Sequence, residues 1–439
     1  MMPPALEQEP SRRASRRRVP FSRAAALLEI AAAGARDFAW LDGGAEGRSF
    51  VGIEADQVIE SDGIEALDAV DRAWRAEPEH LWIGWLTYEL GVDTLLGRRP
   101  SSGRFPGLCF RRYPAALEHA GGRMRWHGYP RAVAELRERL EASGRAALDR
   151  SWPWEQLVPT ISPDLHRRRV ASVLRLIAAG DTYQVNLSQQ LRGAWRMPPI
   201  GRRALARAAA GAYGRLRRAT PASMGALIAA GDAWILSNSP ETLIDVRRSA
   251  GGSHDRARTW PIKGTRPRSA DAARDRQAAE ELLLDAKERA EHLMIVDLLR
   301  NDLGQLAQPG SVCAPPEPSL VSLPTVHHLI SEVSCRLRSG WSLRSLIEAV
   351  FPGGSITGAP KRRTVEIIES LEAHRRGIYC GAIVVLDPGG LTASIPIRTA
   401  IADHTGLSIC SGGGIVADSD PEAERLETLV KASAFDSGG

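Results

Sequence analysis

No run of apolar residues in this chain approaches the roughly 20 needed to cross a membrane as a helix, and the opening residues lack the apolar core of a secretory signal. The five cysteines (Cys109, Cys313, Cys335, Cys380 and Cys410) are scattered, odd in number and never spaced as CxxC. That usage argues against a disulfide framework and against a zinc site, and with the missing signal it makes the cytoplasm the expected location. Neither a helix-turn-helix nor an RNA-recognition pattern occurs, so the net charge of +5 does not indicate nucleic acid. Much of the excess comes from Arg12, Arg13, Arg16, Arg17 and Arg18, in a tail over residues 1–20 with the composition of a disordered segment. The loop FPGGSITGAPK, Phe351 to Lys361, has P-loop glycine spacing, but Ala359 and Pro360 stand where Lys and Ser or Thr are required. Nucleotide-phosphate binding of that kind is excluded, and an anion-cradling loop opening a helix remains.

What the chain does have is size: 439 residues, 43% of them hydrophobic, are enough for a large core. Length alone suggests about three domains, although a β-sandwich often takes roughly 200 or more residues as one body. The pattern divides into the tail, a region over 21–155, and a region over 160–436, with the proline-interrupted stretch SWPWEQLVPTIS, Ser151 to Ser162, as linker. In the first region Leu81 to Leu90, with Trp82, Trp85 and Tyr88, reads as a buried strand or strand pair ending at Gly91, and 130–150 as an exposed charged helix. In the second, Ser162 caps a helix with Pro163 in its first turn and Val170, Val173, Leu174 and Ile177 on one stripe. DTYQVNLSQQL then alternates as a strand, with Tyr183, Val185 and Leu187 on one face and Gln184, Asn186 and Ser188 on the other. A helix over Arg202 to Arg218 precedes paired strands at Met224 to Ile228 and Trp234 to Ser237, which lead into Ser239-Pro240-Glu241, an acid beside a rigid proline.

The chemistry concentrates in a few stretches. In PIKGT, Pro261 to Thr265, Pro261 fixes its own φ and Gly264 permits angles other residues avoid, so Lys263 is aimed. A lysine is a nucleophile only when unprotonated; desolvation or nearby positive charge must lower its pKa, and Arg266 and Arg268 follow closely. A helix over about Ala272 to Leu299 carries Leu284, Glu288, Glu291, Ile295 and Leu298 on one stripe. Carboxylates on a buried face are expensive unless paired or metal-bound, so either a hard cation such as Mg²⁺ or salt bridges to Lys287, Arg289 or Arg300 must compensate. SDPEAERLETLVKA opens with a Ser419 to Glu422 capping box and presents Glu424 and Glu427 on one face, so two helices offer the same carboxylate pair and could share one metal. Before it, CSGGGIVADS is a strand running into Gly412, Gly413 and Gly414, whose bare N–H groups could receive a carboxylate. His327 and His328 lie in an alternating segment and point to opposite faces.

Taken together, GDTYQVNLSQ, SPE, PIKGTRPR, AKERAEHLMIVDLLRNDLG, VHHLISEV, FPGGSITGAPKRR, YCGAI, IRTAI and GGGIVADSDPEAERLETL resemble the chorismate-utilising enzymes, in the family's order over roughly residues 162–432. The resemblance implies an α+β fold, two packed antiparallel β-sheets flanked by helices, with the N-terminal region adding strands to the same sandwich. It implies chorismate as substrate, its C1 carboxylate on Mg²⁺ held mainly by Glu291 and Glu427 with Glu288 and Glu424 in support. Gly412, Gly413, Gly414, Arg398 and Tyr379 would hold substrate carboxylates, His328 falls at the family's active-site histidine, and Ser355 and Thr357 lie in its substrate loop. Tyr183 and Asn186 would belong to a tryptophan site found in many members.

Two positions sort the family by reaction. Gln184 stands where members that add water at C2 carry a lysine base, and Lys263 stands where anthranilate synthases typically carry alanine. The first argues against isochorismate and salicylate synthases and the second marks the aminodeoxychorismate branch, whose implied mechanism is that Lys263 attacks C2 while Glu241 protonates the departing C4 hydroxyl, after which ammonia enters at C4 and expels the lysine. That implies a separate glutamine amidotransferase subunit as ammonia source, for p-aminobenzoate and folate synthesis. The alternatives are anthranilate synthase component I, and a non-catalytic chorismate or tryptophan binding protein on the same scaffold.

Overall fold

The computed structural model describes residues 23–44, 47–144, 152–249, 254–323 and 326–436, so the arginine-rich tail expected over 1–20 lies outside the described residues. Alternating apolar residues build two large sheets in which every neighbouring pair of strands is antiparallel. The first has eleven strands, running through Gly358–Ala359, Gln184–Gly193, Gly406–Ile415, Thr399–Asp403, Ala233–Ser239, Met224–Ala230, Ala39–Asp42, Ser49–Gly52, Ala115–Ala120 and Arg123–Gly128, with Val158–Pro159 beside Gln184–Gly193. The second has eight: Val333–Arg336, Arg256–Thr259, Thr242–Arg247, Gly390–Ser394, Ala382–Asp387, Leu81–Leu86, Leu108–Tyr113 and Gln57–Ser61. A third sheet of three short strands, Ile262–Pro267, Val326–Ile330 and Ser319–Ser322, stands apart from them.

The two large sheets bury their facing sides against each other. Phe50, Ala226, Ile228 and Ile235 of one meet Ile83, Trp85, Ile383 and Val385 of the other, each large side chain worth about 1.5–3 kcal/mol once removed from water. The helices Leu67–Ala76, Ala286–Gly304 and Leu343–Val350 cover the outer face of the eight-stranded sheet. Ala24–Ala32 and Gly201–Ala219 cover the eleven-stranded one, while Pro163–Ala178 and Lys361–Leu371 close over Val185 and Leu187. This is the α+β sandwich the resemblance implies, and strands from the 21–155 region enter both sheets. Among the described residues no helix is long and apolar enough to cross a membrane, and all five cysteines are free thiols.

Four local expectations are corrected. The apolar run after Leu81 is a strand only to Leu86, and Tyr88–Leu96 is helical. The stretch Ser151 to Ser162 is no free linker, because two tryptophans outweigh its prolines. Trp154 is fully buried, its ring 5.1 Å from that of Trp152 and 4.8 Å from that of Trp195. The long helix from Ala272 is two helices, Ala272–Leu284 and Ala286–Gly304, broken at Asp285, whose extended backbone lets its carboxylate cap the N–H groups of Lys287 and Glu288. Leu284 consequently leaves the acidic stripe and is 77% exposed. Finally, the cap of Pro421–Ala432 is Asp420, which accepts from the N–H groups of Glu422 and Ala423, and Ser419 is released for another contact.

Trp154→Ala should therefore lower stability by about 3–5 kcal/mol in chemical denaturation, the range for emptying a buried tryptophan site. A loss under about 0.5 kcal/mol, typical of exposed positions, would restore the linker reading.

Candidate active site

The small sheet aims the lysine. Lys263 pairs with Leu329 and Thr265 with His328, so Gly264 is an extra residue in the ladder, a bulge with φ +68°. Bulges of this kind redirect side chains and suit glycine in the left-handed region. A Cβ here would also lie 2.8 Å from Leu282 and 3.3 Å from Glu288 Oε2. Lys263 is half-buried, and removal from water pushes its amine below the usual lysine range; the carboxylates of Glu291 and Glu241 oppose this and the ammonium of Lys431 reinforces it. Arg266 and Arg268, expected from their sequence proximity to supply that charge, are not among the main influences on it. Arg266 pairs with Asp285 at 2.8 Å and Glu288 at 3.2 Å, and Arg268 with Asp275 at 2.7 Å, because both side chains turn to the covering helices.

Glu241 and Arg398 sit where the chain passes between the two large sheets. Glu241 follows strand Ala233–Ser239 and precedes Thr242–Arg247, whereas Arg398 follows Gly390–Ser394 and precedes Thr399–Asp403. The two crossings are laced together: Ser239 Oγ donates to the Ile395 carbonyl, Ile395 N–H to the Glu241 carbonyl at 3.0 Å, and Asn238 N–H to the Arg398 carbonyl at 2.9 Å. Ser355 Oγ donates to Glu241 Oε1 at 2.5 Å. Desolvation lifts the Glu241 carboxyl above its ordinary range, against the Ser355 hydrogen bond and the charges of Lys263, Arg398 and Lys431. Arg398 is exposed over the side chain as a whole and has a left-handed φ of +49°; partial loss of solvent lowers its pKa, with the Glu241 carboxylate pulling the other way.

His328 Nδ1 lies 3.0 Å from the Gly264 carbonyl, and a carbonyl only accepts, so Nδ1 carries the proton and a neutral ring leaves Nε2 as an acceptor. Burial keeps its pKa below the usual value. His327 points the other way, to Asp275 at 3.1 Å and Ser322 at 2.8 Å.

The four glutamates are held from the two acidic helices. Glu291 and Glu424 are both pushed toward protonation by desolvation, and the negative charge of Glu291 adds to that push on Glu424. Glu424 Oε1 accepts from Ser419 at 2.5 Å, while its Oε2 is buried without a hydrogen-bond partner. Glu288 pairs with Arg266, and Glu427 with Lys431 at 2.6 Å. Among the described residues no three of these glutamates bring one oxygen each within 4.8 Å of the others. The donor set is all carboxylate, one buried oxygen lacks a hydrogen-bond partner among the described residues, and the charge of Glu291 pushes the Glu424 carboxyl up. Those features fit a hard dication such as Mg²⁺, with Lys263 and Lys431 occupying part of the charge it would neutralise.

The three glycines lie within strand Gly406–Ile415 rather than after it, opposite Ser188, Leu187 and Asn186. On the other side Thr399–Asp403 pairs only as far as Ile409, so the edge at Gly412 to Gly414 has no strand partner there. A Cβ at Gly413 would sit 2.8 Å from Glu424 Oε2. Gln184 is fully buried beside Gly414, and neither its amide oxygen nor its nitrogen finds a hydrogen bond. The Thr357 hydroxyl is spent on the Gly353 carbonyl at 2.9 Å, and Tyr379 is a buried ring against Arg376, at 6.0 Å. Tyr183, just before the strand Gln184–Gly193, is 71% exposed, and Asn186 within it is buried. Lys431 was missed: it donates to the Gly412 carbonyl at 3.1 Å and acts on Lys263, Glu241 and Glu424. Its position, one helical turn after Glu427 on the same face, was the available signal.

The chain is 44% identical over 256 residues to aminodeoxychorismate synthase component 1 of Salmonella typhimurium, covering 58% of this chain and 53% of that protein, little more than half its length. It is 37% identical over 380 residues to an anthranilate synthase component 1 of Haloarcula marismortui, covering 80% of this chain and 74% of that one. The crystal structure of anthranilate synthase component I from Streptococcus pneumoniae superposes with a TM-score of 0.74 at 25% identity, over 89% of this chain and 92% of that one. The family described as chorismate binding enzyme matches residues 18–437, and the chain belongs to that family.

Proposed function

We propose that this protein aminates chorismate at C4 to give 4-amino-4-deoxychorismate, with Lys263 as covalent nucleophile and Glu241 as proton shuttle. The observation that carries the reading is the pairing of a desolvated amine with a desolvated carboxyl at one cleft, each displaced toward its neutral form. A neutral amine attacks and a protonated carboxyl donates, which is what this displacement needs from each. The Lys263 Nζ lone pair forms a bond to C2, the ring electrons shift, and the C4–O bond breaks as Glu241 gives its proton to the oxygen, which leaves as water. Ammonia then bonds to C4, the electrons shift back and the C2–N bond breaks, freeing Lys263. The surplus proton on the new C4 ammonium returns to Glu241. Two moderate displacements thus replace one difficult one.

Ser355 would orient Glu241, Arg398 and the open edge at Gly412 to Gly414 would hold carboxylates, and neutral His328 would accept a hydrogen bond through Nε2. Mg²⁺, held mainly by Glu291 and Glu427 with Glu288 and Glu424 in support, would supply the positive charge that anchors a substrate carboxylate. The buried amide of Gln184 has no basic group, which disfavours attack by water at C2. Ammonia would come from a glutamine amidotransferase subunit, and the product keeps its enolpyruvyl group for a separate lyase to remove.

Incubated with chorismate, Mg²⁺ and ammonium, the protein should form a 4-amino product without releasing pyruvate; fluorescent anthranilate with equimolar pyruvate would replace this reading by anthranilate synthesis. In reactions quenched during turnover, mass spectrometry should find Lys263 carrying chorismate less one water, and Lys263→Ala should abolish both adduct and product while circular dichroism stays unchanged. The rate should follow a bell in pH, since it needs protonated Glu241 and unprotonated Lys263 together. In Glu241→Gln only the lysine titrates, so the decline on the alkaline side should vanish, at a rate lower by about 10²–10⁴-fold. A variant that kept the alkaline limb would remove Glu241 from the role.

A further inference from the structure

The turn between the helix Leu67–Ala76 and the strand Leu81–Leu86 reads Glu77-Pro78-Glu79-His80. His80 Nδ1 lies 3.3 Å from Glu77 Oε2 and 3.6 Å from Glu79 Oε1. One ligand atom from each of the three lies within 4.8 Å of the others, and among the described residues no other group of three or more His, Cys, Asp or Glu achieves this. His80 is 1% exposed, and neither ring nitrogen makes a hydrogen bond. A buried imidazole left that way loses its hydration without replacement, which is costly unless something binds it.

The charges around the turn are also unbalanced. Arg112 is held by Asp56 at 2.9 Å and by Glu77 at 2.8 Å, so its single positive charge is shared between two carboxylates, while among the described residues Glu79 is paired only with the imidazole. With the imidazole neutral, three carboxylates and one guanidinium leave two negative charges, the complement of a dication. Arg112 and the Tyr129 hydroxyl, 3.4 Å away, both donate to Glu77 Oε2, the oxygen that faces His80, and so hold that carboxylate in place, and the Tyr129 ring packs edge-on against His80 at 4.5 Å. Outer contacts of this kind orient ligands in metal sites.

We propose that Glu77, Glu79 and His80 form a second metal site, which takes a borderline transition dication such as Zn²⁺ through one imidazole and two carboxylates, with water completing the coordination. It differs in donor chemistry from the all-carboxylate cleft, which suits Mg²⁺, and it would pin the helix end to the start of the inner strand Leu81–Leu86. The inference is independent of the reaction proposed above.

Metal-stripped protein in a large excess of Mg²⁺, which occupies hard-oxygen sites, can be titrated with Co²⁺ and followed by visible d–d absorption and equilibrium dialysis. One Co²⁺ per chain should be retained. Glu79→Gln, at an exposed position where the fold is secure, should weaken it at least about tenfold, and His80→Asn should abolish the absorption. No Co²⁺ retained under these conditions, or equal binding by the parent and Glu79→Gln, would overturn the site. Should His80→Asn not fold, Glu79→Gln decides alone.

Discussion

The cleft depends on one constraint: an amine and several carboxylates are held close together with too little water to solvate their charges. In bulk water Lys263 and Glu241 would be an ammonium and a carboxylate. In the cleft each feels two opposed influences, desolvation toward neutrality and mutual attraction toward charge, and for both desolvation is the larger. Glu291 and Glu424 are displaced the same way. The site is therefore short of positive charge and rich in neutral, reactive forms, a state that suits both a metal dication and a covalent nucleophile.

The rest of the structure makes that constraint affordable. Two sheets packed face to face give a rigid body, and Glu241 and Arg398 are placed at the two points where the chain steps from one sheet to the other, tied by backbone hydrogen bonds. The lysine comes from a separate small sheet, and its direction is set by a one-residue bulge rather than by a flexible loop. The acidic helices lie outside the sheets and reach in with long side chains, so the carboxylates approach the lysine without disturbing the core. Lys431 links these parts, since the same ammonium touches the glycine strand, a glutamate of its own helix, and the fields of Lys263 and Glu241.

Much of this was legible in the chain. Periodicity located the capped helix at Ser162, the strand from Gln184 and the paired strands before Glu241, because each depends on neighbours a few residues apart. The two acidic helix faces and the opposite orientation of His327 and His328 follow from the same local geometry. Where local signals competed, the reading failed: at Asp285 a side chain preferred capping to helix continuation, and at Trp152 and Trp154 buried aromatic area overrode the prolines.

By itself the sequence determined, through the order of its motifs, the family and with it the α+β sandwich class, and it singled out Lys263 and the carboxylate pairs as candidates. Which groups act on which was decided only by the tertiary structure. Arg266 and Arg268 are near Lys263 along the chain yet are paired elsewhere, whereas Lys431, 168 positions away, bears on it directly. Charge acts through space and is governed by exclusion of water, and neither quantity is written in sequence separation.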